Sequence, residues 1–392
     1  MTELANLVRR AARHPYFADK YRHLDLGADI DFTAVPEMTR EDVTRSSEQV
    51  VASTARPAGA YLFTSGGSTA EPKLAWIPSD MYLGALLPYW RPLESSDVLA
   101  NLAMPGRLWS AHYFYNRVAE RAGADVIGLG SIPEEEFGQW LAFLRRHRTT
   151  ALACTPSQLA GILAHCERTG DPFLEGVRTV IWFGEPLDAE LLAMRARSAP
   201  WLRLWGNYGS TETWVIGHNG PDCARDSFHV LPHQHIEVVD GRVLVTTMHP
   251  SAVSPVIRYR IGDRGAWSAC RCGRADTTLR LLAREDSHVK FAGTLVSPQE
   301  LVAVARSVHG VRAAQVALVT GAGPADERLE VHVVADRDIP EQELRDRLLA
   351  SQIDLRFGLR GDEDAIRIRF VERLATSEQT AKTPALLRRV AA

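Results

Sequence analysis

Between residues 124 and 209 four apolar runs, ADVIGLG, TALACT, RTVIWFG and LRLWGNYG, alternate with three stretches of helical periodicity. Phe137, Trp140, Leu141 and Leu144 recur at i, i+3, i+4 and i+7, as do Leu159, Ile162, Leu163 and Cys166, while Leu187, Leu191 and Met194 follow at i, i+4 and i+7. Those intervals put each set on one face of a helix, and the runs have the length of buried strands. The pattern predicts a βαβαβαβ unit. Strands joined by single helices run parallel with right-handed crossovers, and ligands of such sheets collect beyond the carboxyl ends of the strands. Gly184-Glu185-Pro186 and Tyr208-Gly209-Ser210-Thr211-Glu212 stand at two of those ends. Cys154 and Cys166 fall within the apolar patterns and read as core thiols.

Past residue 230 the period shortens. HIEVV, the dipeptide Asp240-Gly241 and RVLVTT predict a hairpin with a two-residue turn, and VIRYRIG, GAWSA and LRLLA add strands to a small antiparallel sheet or barrel. The last hundred residues mix helices near 298–308 and 340–351 with strands QVALVT, RLEVHVVAD and AIRIRFV. The expected class is α/β: a large N-terminal domain over 1–284, with a parallel βαβ sheet and a small antiparallel β-barrel region, and a small mobile α+β domain over 285–392. Arg284-Glu285-Asp286, between two strands, is the expected hinge.

Composition narrows the function. The 392 residues, 45% apolar and 24% charged, suffice for an ordinary core. A net charge of -3 offers no field for nucleic acid. Neither a leader-like N-terminus nor 18 consecutive apolar residues occurs, so the reading places the chain in the cytoplasm and off the membrane. Among 45 basic side chains the lysines are Lys20, Lys73, Lys290 and Lys382, so each calls for a reason.

One reason is phosphate. The apolar strand Tyr61-Leu62-Phe63 leads into Thr64-Ser65-Gly66-Gly67-Ser68-Thr69-Ala70-Glu71-Pro72, and Lys73 closes the loop. Glycines let backbone N–H groups turn toward oxygen, hydroxyls add neutral donors and the ammonium adds charge, which suits a polyphosphate. The spacing differs from a P-loop G-x-x-x-x-G-K-[ST]. Further motifs follow in order: Gly184-Glu185-Pro186, Asn207-Tyr208-Gly209-Ser210-Thr211-Glu212, Arg258-Tyr259-Arg260-Ile261-Gly262-Asp263, Arg284-Glu285-Asp286, and Lys382 near the C-terminus.

This ordered set resembles the acyl-adenylate-forming superfamily of acyl- and aryl-CoA ligases, luciferases and adenylation domains of nonribosomal peptide synthetases. ARHPYFADKYRHL and VPEMTREDV look like the opening of its phenylacetate-CoA ligase branch, so the likeness spans nearly the whole chain. The short length is similar to compact adenylate-forming enzymes of natural-product pathways, such as those acting on phenazine carboxylic acids.

The resemblance implies ATP and Mg2+ as cofactors and a carboxylate that attacks the α-phosphorus. It assigns Thr64, Ser65, Gly66, Gly67, Ser68 and Thr69 to the β,γ-phosphates, Lys73 to ATP binding at the end of the loop, Thr211 to the α-phosphate and Glu212 to Mg2+. Asp263 would hold the ribose hydroxyls, and Gly184, Glu185, Pro186, Asn207, Tyr208, Gly209 and Ser210 would frame the nucleotide, with Arg284 touching it. Lys382 would be the catalytic lysine and Asp286 the hinge. Two departures from the family pattern stand out: Ala70 replaces a usual glycine, and Ala381 and Thr383-Pro384-Ala385 surround Lys382 where glycine and arginine are usual.

Cys223, His229, Cys270 and Cys272 form a Cys3His set of the composition zinc prefers, although Cys-x5-His and Cys-x-Cys are not finger spacings and unrelated thiols are the alternative. Some members of the branch look similar here and bind structural zinc. Trp109, His112, Tyr113 and Trp214 are the candidate acyl-pocket residues, suited to a flat aryl acid or to an ordinary core. The expected partners are a small, aromatic carboxylic acid and an acceptor, with CoA as the default and a carrier protein or amine as alternatives; a homodimer is a further expectation. Nitrite activation for diazotisation of an aryl amine and a non-catalytic nucleotide-binding protein are the competing readings of the same fold.

Overall fold

A computed structural model describes residues 3–27, 29–53, 59–64, 74–284, 289–291, 294–320, 327–351, 359, 366–377, 380 and 382–390. Ser65, Gly66, Gly67, Ser68, Thr69 and Lys73 of the predicted phosphate loop, and the predicted hinge residue Asp286, lie outside the described residues. The described residues divide into two compact units, one ending at Ala283 and one beginning at Arg284.

In the larger unit β1 (Ala60–Thr64) and β2 (Leu74–Pro78) form an antiparallel pair with Thr64 opposite Leu74. β3 (Val98–Asn101), β4 (Asp125–Gly128), β5 (Ala151–Cys154), β6 (Thr179–Trp182) and β7 (Arg203–Ser210) then run parallel in the order β4-β3-β5-β6-β7. The last four coincide with the predicted apolar runs; β3 is an addition, inserted between the first two. Because the chain leaves β3 toward β4 and returns to β5 on its other side, the carboxyl ends of β3 and β5 mark the point where the winding reverses, the usual place for a ligand crevice.

All four residues of β5 and of β6 are buried, as parallel strands covered on both faces require. The helices Phe137–Arg146, Pro156–Thr169 and Ala189–Ser198 supply the cover through Leu141, Leu144, Leu159, Ile162, Leu163, Cys166 and Leu191, with Trp140 and Met194 partly exposed. Their ends are encoded locally. Thr155 accepts a hydrogen bond from Gln158 N at 3.3 Å, Pro156 occupies a first turn that needs no N–H partner, and Gly170 closes the helix at φ 70°.

At β7 the sheet changes direction. β8 (Trp214–Asn219) pairs with it antiparallel, and β9 (Ser227–Val230), β10 (Gln234–Val239), β11 (Arg242–Thr247), β12 (Tyr259–Ala269) and β13 (Thr277–Arg284) extend the sheet in the order β7-β8-β9-β13-β12-β11-β10. The antiparallel region is thus edge-continuous with the parallel strands in one eleven-stranded sheet. The Asp240-Gly241 turn has positive φ at both residues, 51° and 77°, as a two-residue hairpin needs. VIRYRIG and GAWSA, expected as separate strands, are one long β12, which begins after Arg258 with its left-handed φ of 47°.

The smaller unit opens with the hairpin β14 (Val289–Phe291) and β15 (Thr294–Val296), followed by the helix Pro298–Arg306. Its main sheet, in the order β18-β17-β16-β19, consists of β16 (Val311–Thr320), β17 (Arg328–Ala335), β18 (Ile366–Phe370) and β19 (Leu386–Val390). β16 and β17 are antiparallel, and the outer strands run parallel to their neighbours. Leu301 and Ala305 of the first helix and Leu344 and Leu348 of the helix Glu341–Ser351 pack with Val316, Leu318, Leu329 and Val331.

Candidate active site

β7 carries Asn207, Tyr208, Gly209 and Ser210 past the ends of the parallel strands, and the chain turns through Thr211, Glu212 and Thr213 into β8, with Ser210 opposite Trp214. Space dictates two glycines here. A Cβ at Gly206 would lie 2.4 Å from the Trp182 indole, and one at Gly209 would lie 2.0 Å from the Trp214 carbonyl oxygen. Trp214 has φ 59°, a left-handed conformation that costs a bulky residue about 1–3 kcal/mol. Its surroundings hold it there: the indole N–H donates to Met81 O at 2.9 Å, the ring stacks on Phe63 at 5.7 Å, and Phe114 meets it edge-on at 5.5 Å.

The turn is closed from inside and from behind. Ser210 N donates to Thr213 Oγ1 at 3.2 Å, and Thr213 N donates to Ser210 Oγ at 3.3 Å. Behind it, the buried Gln234 amide donates to Thr213 O at 3.0 Å and Val215 O at 3.1 Å, and accepts from Thr247 Oγ1 at 3.1 Å. A buried amide so fully partnered resists displacement, since moving it would strand several polar groups.

Two carboxylates are braced by tyrosines, Glu212 from β12 and Asp263 from β7. Glu212, 6% exposed, accepts the Tyr259 hydroxyl at 2.6 Å, and Asp263 accepts the Tyr208 hydroxyl at 2.6 Å. Arg258 anchors the start of β12, donating to Glu237 and to the carbonyls of Thr33 and Val35. Asn207 donates to Tyr115 Oη at 3.1 Å; burial pushes that phenol's pKa up, so it stays neutral. At the end of β6, Gly184 has φ 79° and precedes Glu185, whose carboxylate accepts from Ser157 N at 3.0 Å and Ser157 Oγ at 2.6 Å and so caps the neighbouring helix; Pro186 follows.

The four candidate pocket residues lie around one aromatic cluster beside β3. Trp109 packs on Phe183, Tyr113 stacks on Tyr61 at 6.0 Å and approaches Phe63, and Trp214 stacks on Phe63 from another side. His112 donates from Nδ1 to Ala103 O at 2.7 Å, while Asn101 at the end of β3 ties down His112 O at 2.9 Å. Trp109 and Trp214 are buried and Tyr113 is 40% exposed, so Tyr113 is the rim member of the set. A separate cleft of about 500 Å³, lined by Arg91, Leu93, Val118 and Arg121, lies toward the other end of the helix Ala111–Ala122.

The ligating atoms of Cys223, His229, Cys270 and Cys272 lie within 4.8 Å of one another. His229 bonds Asp276 through Nδ1 at 2.7 Å, which leaves Nε2 directed at Cys272 Sγ, 3.3 Å away. This is the arrangement of a ligating imidazole with a carboxylate behind it. Burial alone would raise the Cys270 thiol, yet hydrogen bonds from Cys272, Cys223 and His229 bring it down to about 7.

Lys382 stands in the smaller unit, in the segment between Ala375 and Pro384 that precedes β19; Arg284 is the last residue of β13. Lys20 pairs with Asp42 at 3.0 Å and is structural. The sequence reading passed over Gln234, Tyr115, Thr213 and the pairing of Tyr259 with Glu212. Nothing in QHIEVV sets Gln234 apart, since His235 and Glu237 of the same strand are polar too.

Among the described residues no helix is long and apolar enough to cross a membrane. The chain is 26% identical over 304 residues to phenyloxazoline synthase MbtB of Mycolicibacterium paratuberculosis, covering 68% of this chain and 25% of that protein. It is 24% identical over 202 residues to indoleacetate–lysine synthetase of Pseudomonas savastanoi, covering 51% of this chain and 49% of that protein. The chain therefore spans half or less of the length of these relatives. Its fold is similar to 2-hydroxyisobutyryl-CoA ligase in the postadenylation state in complex with 2-HIB-AMP, with a TM-score of 0.75 at 16% identity, over 98% of this chain and 88% of that one. Residues 11–246, which include the whole β7–β8 hairpin, match the family of AMP-binding enzymes, and the chain belongs to that family, within the adenylate-forming superfamily.

Proposed function

We propose that this protein is an ATP-dependent ligase that converts a small carboxylic acid to its acyl-adenylate. A carboxylate oxygen bonds to the α-phosphorus of ATP, the bond to the β-phosphate oxygen breaks, and pyrophosphate leaves. Such a displacement is catalysed mostly by positioning and by neutralising charge on phosphate oxygens. The observation that carries the reading is the β7–β8 turn, which presents Thr211 and the braced carboxylate of Glu212 at the end of the parallel strands, beside Asp263.

In this reading Thr211 donates to the α-phosphate and Asp263 accepts from the ribose. Glu212 offers the hard oxygen that Mg2+ prefers, and the ion, when bound, offsets phosphate charge. Thr64, with the loop through Lys73, holds the β,γ-phosphates, and Lys382 supplies the cation that follows charge developing between carboxylate and phosphate. The cluster of Trp109, Tyr113, Trp214 and Phe63 supports a flat aryl acid, of the kind taken by phenylacetate-CoA ligases, with CoA as the default acceptor and a carrier protein or amine as alternatives.

Cys223, His229, Cys270 and Cys272, with Asp276 behind His229, fit a structural Zn2+ in number, kind and spacing. ATP–pyrophosphate exchange over a panel of aryl acids tests the main reading, repeated with and without CoA. Exchange above the no-acid background supports it, and its absence for every acid in a folded, zinc-replete protein rejects it.

A further inference from the structure

Gln315 sits on β16 with no solvent exposure, a residue with three hydrogen-bonding groups at the centre of a sheet. Its amide nitrogen donates to Ala375 O at 2.9 Å and to Pro384 O at 2.7 Å, and its amide oxygen accepts from Ala375 N at 3.1 Å. These partners are the two ends of the segment in which Lys382 stands. One side chain thus joins the entry and the exit of that segment. Next to it, Val316 N donates to Ala385 O at 2.9 Å, so β16 continues the attachment directly into its pairing with β19. Inside the segment, Ser377 N donates to Lys382 O at 2.8 Å, and Lys382 N donates to Thr380 Oγ1 at 3.4 Å, with Thr380 buried.

We propose that Gln315 is a positioning residue for Lys382: it sets the separation of the two ends of the segment and thereby where the lysine backbone sits. This inference rests on the assignment of Lys382 to adenylation. A purely structural amide would need partners anywhere in the unit. This one directs all three of its bonds to the two ends of a single segment, and an apolar replacement leaves one N–H and two carbonyls of that segment without the bonds they make to Gln315. A displacement of the lysine by about 1 Å costs a positioning-dependent reaction up to a hundredfold.

The test compares Gln315→Met, close in volume but without the bonds, with Leu329→Ala, which weakens the same core on β17. Two readouts are taken on the full chain at matched loss of melting temperature. One is the kcat and ATP KM of pyrophosphate exchange. The other is protection of Lys382 by ATP against an amine-acylating reagent, read by mass spectrometry against Lys20 as internal standard. Gln315→Met is expected to lower kcat about tenfold to a hundredfold, with KM changed less than about threefold, and to lose ATP protection of Lys382, while Leu329→Ala keeps both. Unchanged kcat and protection in Gln315→Met, or the same losses in Leu329→Ala, overturn the proposal. If Gln315→Met does not fold, Gln315→Glu, which retains the acceptor for Ala375 N and loses the amide donors, is read by the same criteria. Wild-type exchange in Lys382→Ala would instead defeat the assignment of the lysine; an inactive Lys382→Ala with a normal Gln315 variant defeats only the positioning role.

Discussion

The Glu212 turn of the larger unit and the Lys382 segment of the smaller one carry opposite charges and are held in partly different ways. The turn is fixed at its main chain by Gln234 and also at a functional side chain, where Tyr259 bonds Glu212, next to a left-handed Trp214 clamped by ring contacts. The Lys382 segment is fixed at its backbone ends, through Gln315 and the start of β19. Rigid oxygens suit groups that bind a nucleotide in one pose, and a defined anchor with a long stem suits a cation that must follow charge as it moves. The two regions share one device, a buried glutamine bonded to main-chain carbonyls, and the larger unit adds a hydroxyl brace on its carboxylate side chain.

The largest effects should come from the atoms that would meet phosphate. Lys382→Ala is expected to lower the exchange rate at least about a hundredfold, as loss of a donor to a developing charge does elsewhere. A loss under tenfold would break the comparison at its smaller-unit end. Gly209→Ala forces a methyl to within 2.0 Å of the Trp214 carbonyl, so the turn must move; exchange should fall about a hundredfold, together with a lower melting temperature. If crystals of that variant kept the turn unmoved, the steric argument would be wrong.

Smaller effects sharpen the picture. Tyr259→Phe removes one hydrogen bond to a buried carboxylate, expected to be about 1.5–3 kcal/mol, and should reduce kcat roughly tenfold or more while raising the Mg2+ concentration needed for half-maximal rate. An unchanged Mg2+ requirement would mean that the phenol does not tune Glu212. Zinc removal by chelation should lower the melting temperature of the larger unit, with metal analysis giving one Zn2+ per chain before treatment.

The smallest expected change is at Glu330, where burial would raise the carboxyl but bonds from His332 and Arg369 hold it below the usual range. A depressed carboxylate contributes stability that is present above its unfolded value and lost as pH falls through the folded one. Glu330→Gln should therefore lower the smaller unit's melting temperature by a few degrees at pH 7, and the gap should close as pH falls from the ordinary glutamate range through the depressed pKa of the folded state. A gap that persists in acid would assign the effect to packing.

Much of the parallel sheet was legible because β4 to β7 lie in apolar runs, fully buried in β5 and β6, and their helices keep strict spacing. β3 escaped: four residues, Val98 to Asn101, follow the polar Glu94-Ser95-Ser96-Asp97 and carry no alternation. VIRYRIG and GAWSA read as two strands, whereas β12 runs unbroken from Tyr259 to Ala269 through Gly262 and Gly265. The turn that bears Thr211 and Glu212 was visible as a motif, yet its supports were not, because hydrogen bonds such as those of Gln234 and Gln315 join residues far apart in sequence and leave no period. The Cys3His set was legible as composition, and folding supplied what spacing lacked by bringing residues 223 and 272 together through β9 and the end of β12.

Oxygen tracing tests the central claim most directly. Protein, ATP and an accepted acid labelled with 18O in its carboxylate are carried through turnover with the acceptor, and the nucleotide product is weighed by mass spectrometry. Attack of the carboxylate on the α-phosphorus predicts AMP bearing one 18O and unlabelled pyrophosphate. Label in released phosphate or pyrophosphate, or unlabelled AMP during acid-dependent turnover, would contradict the account.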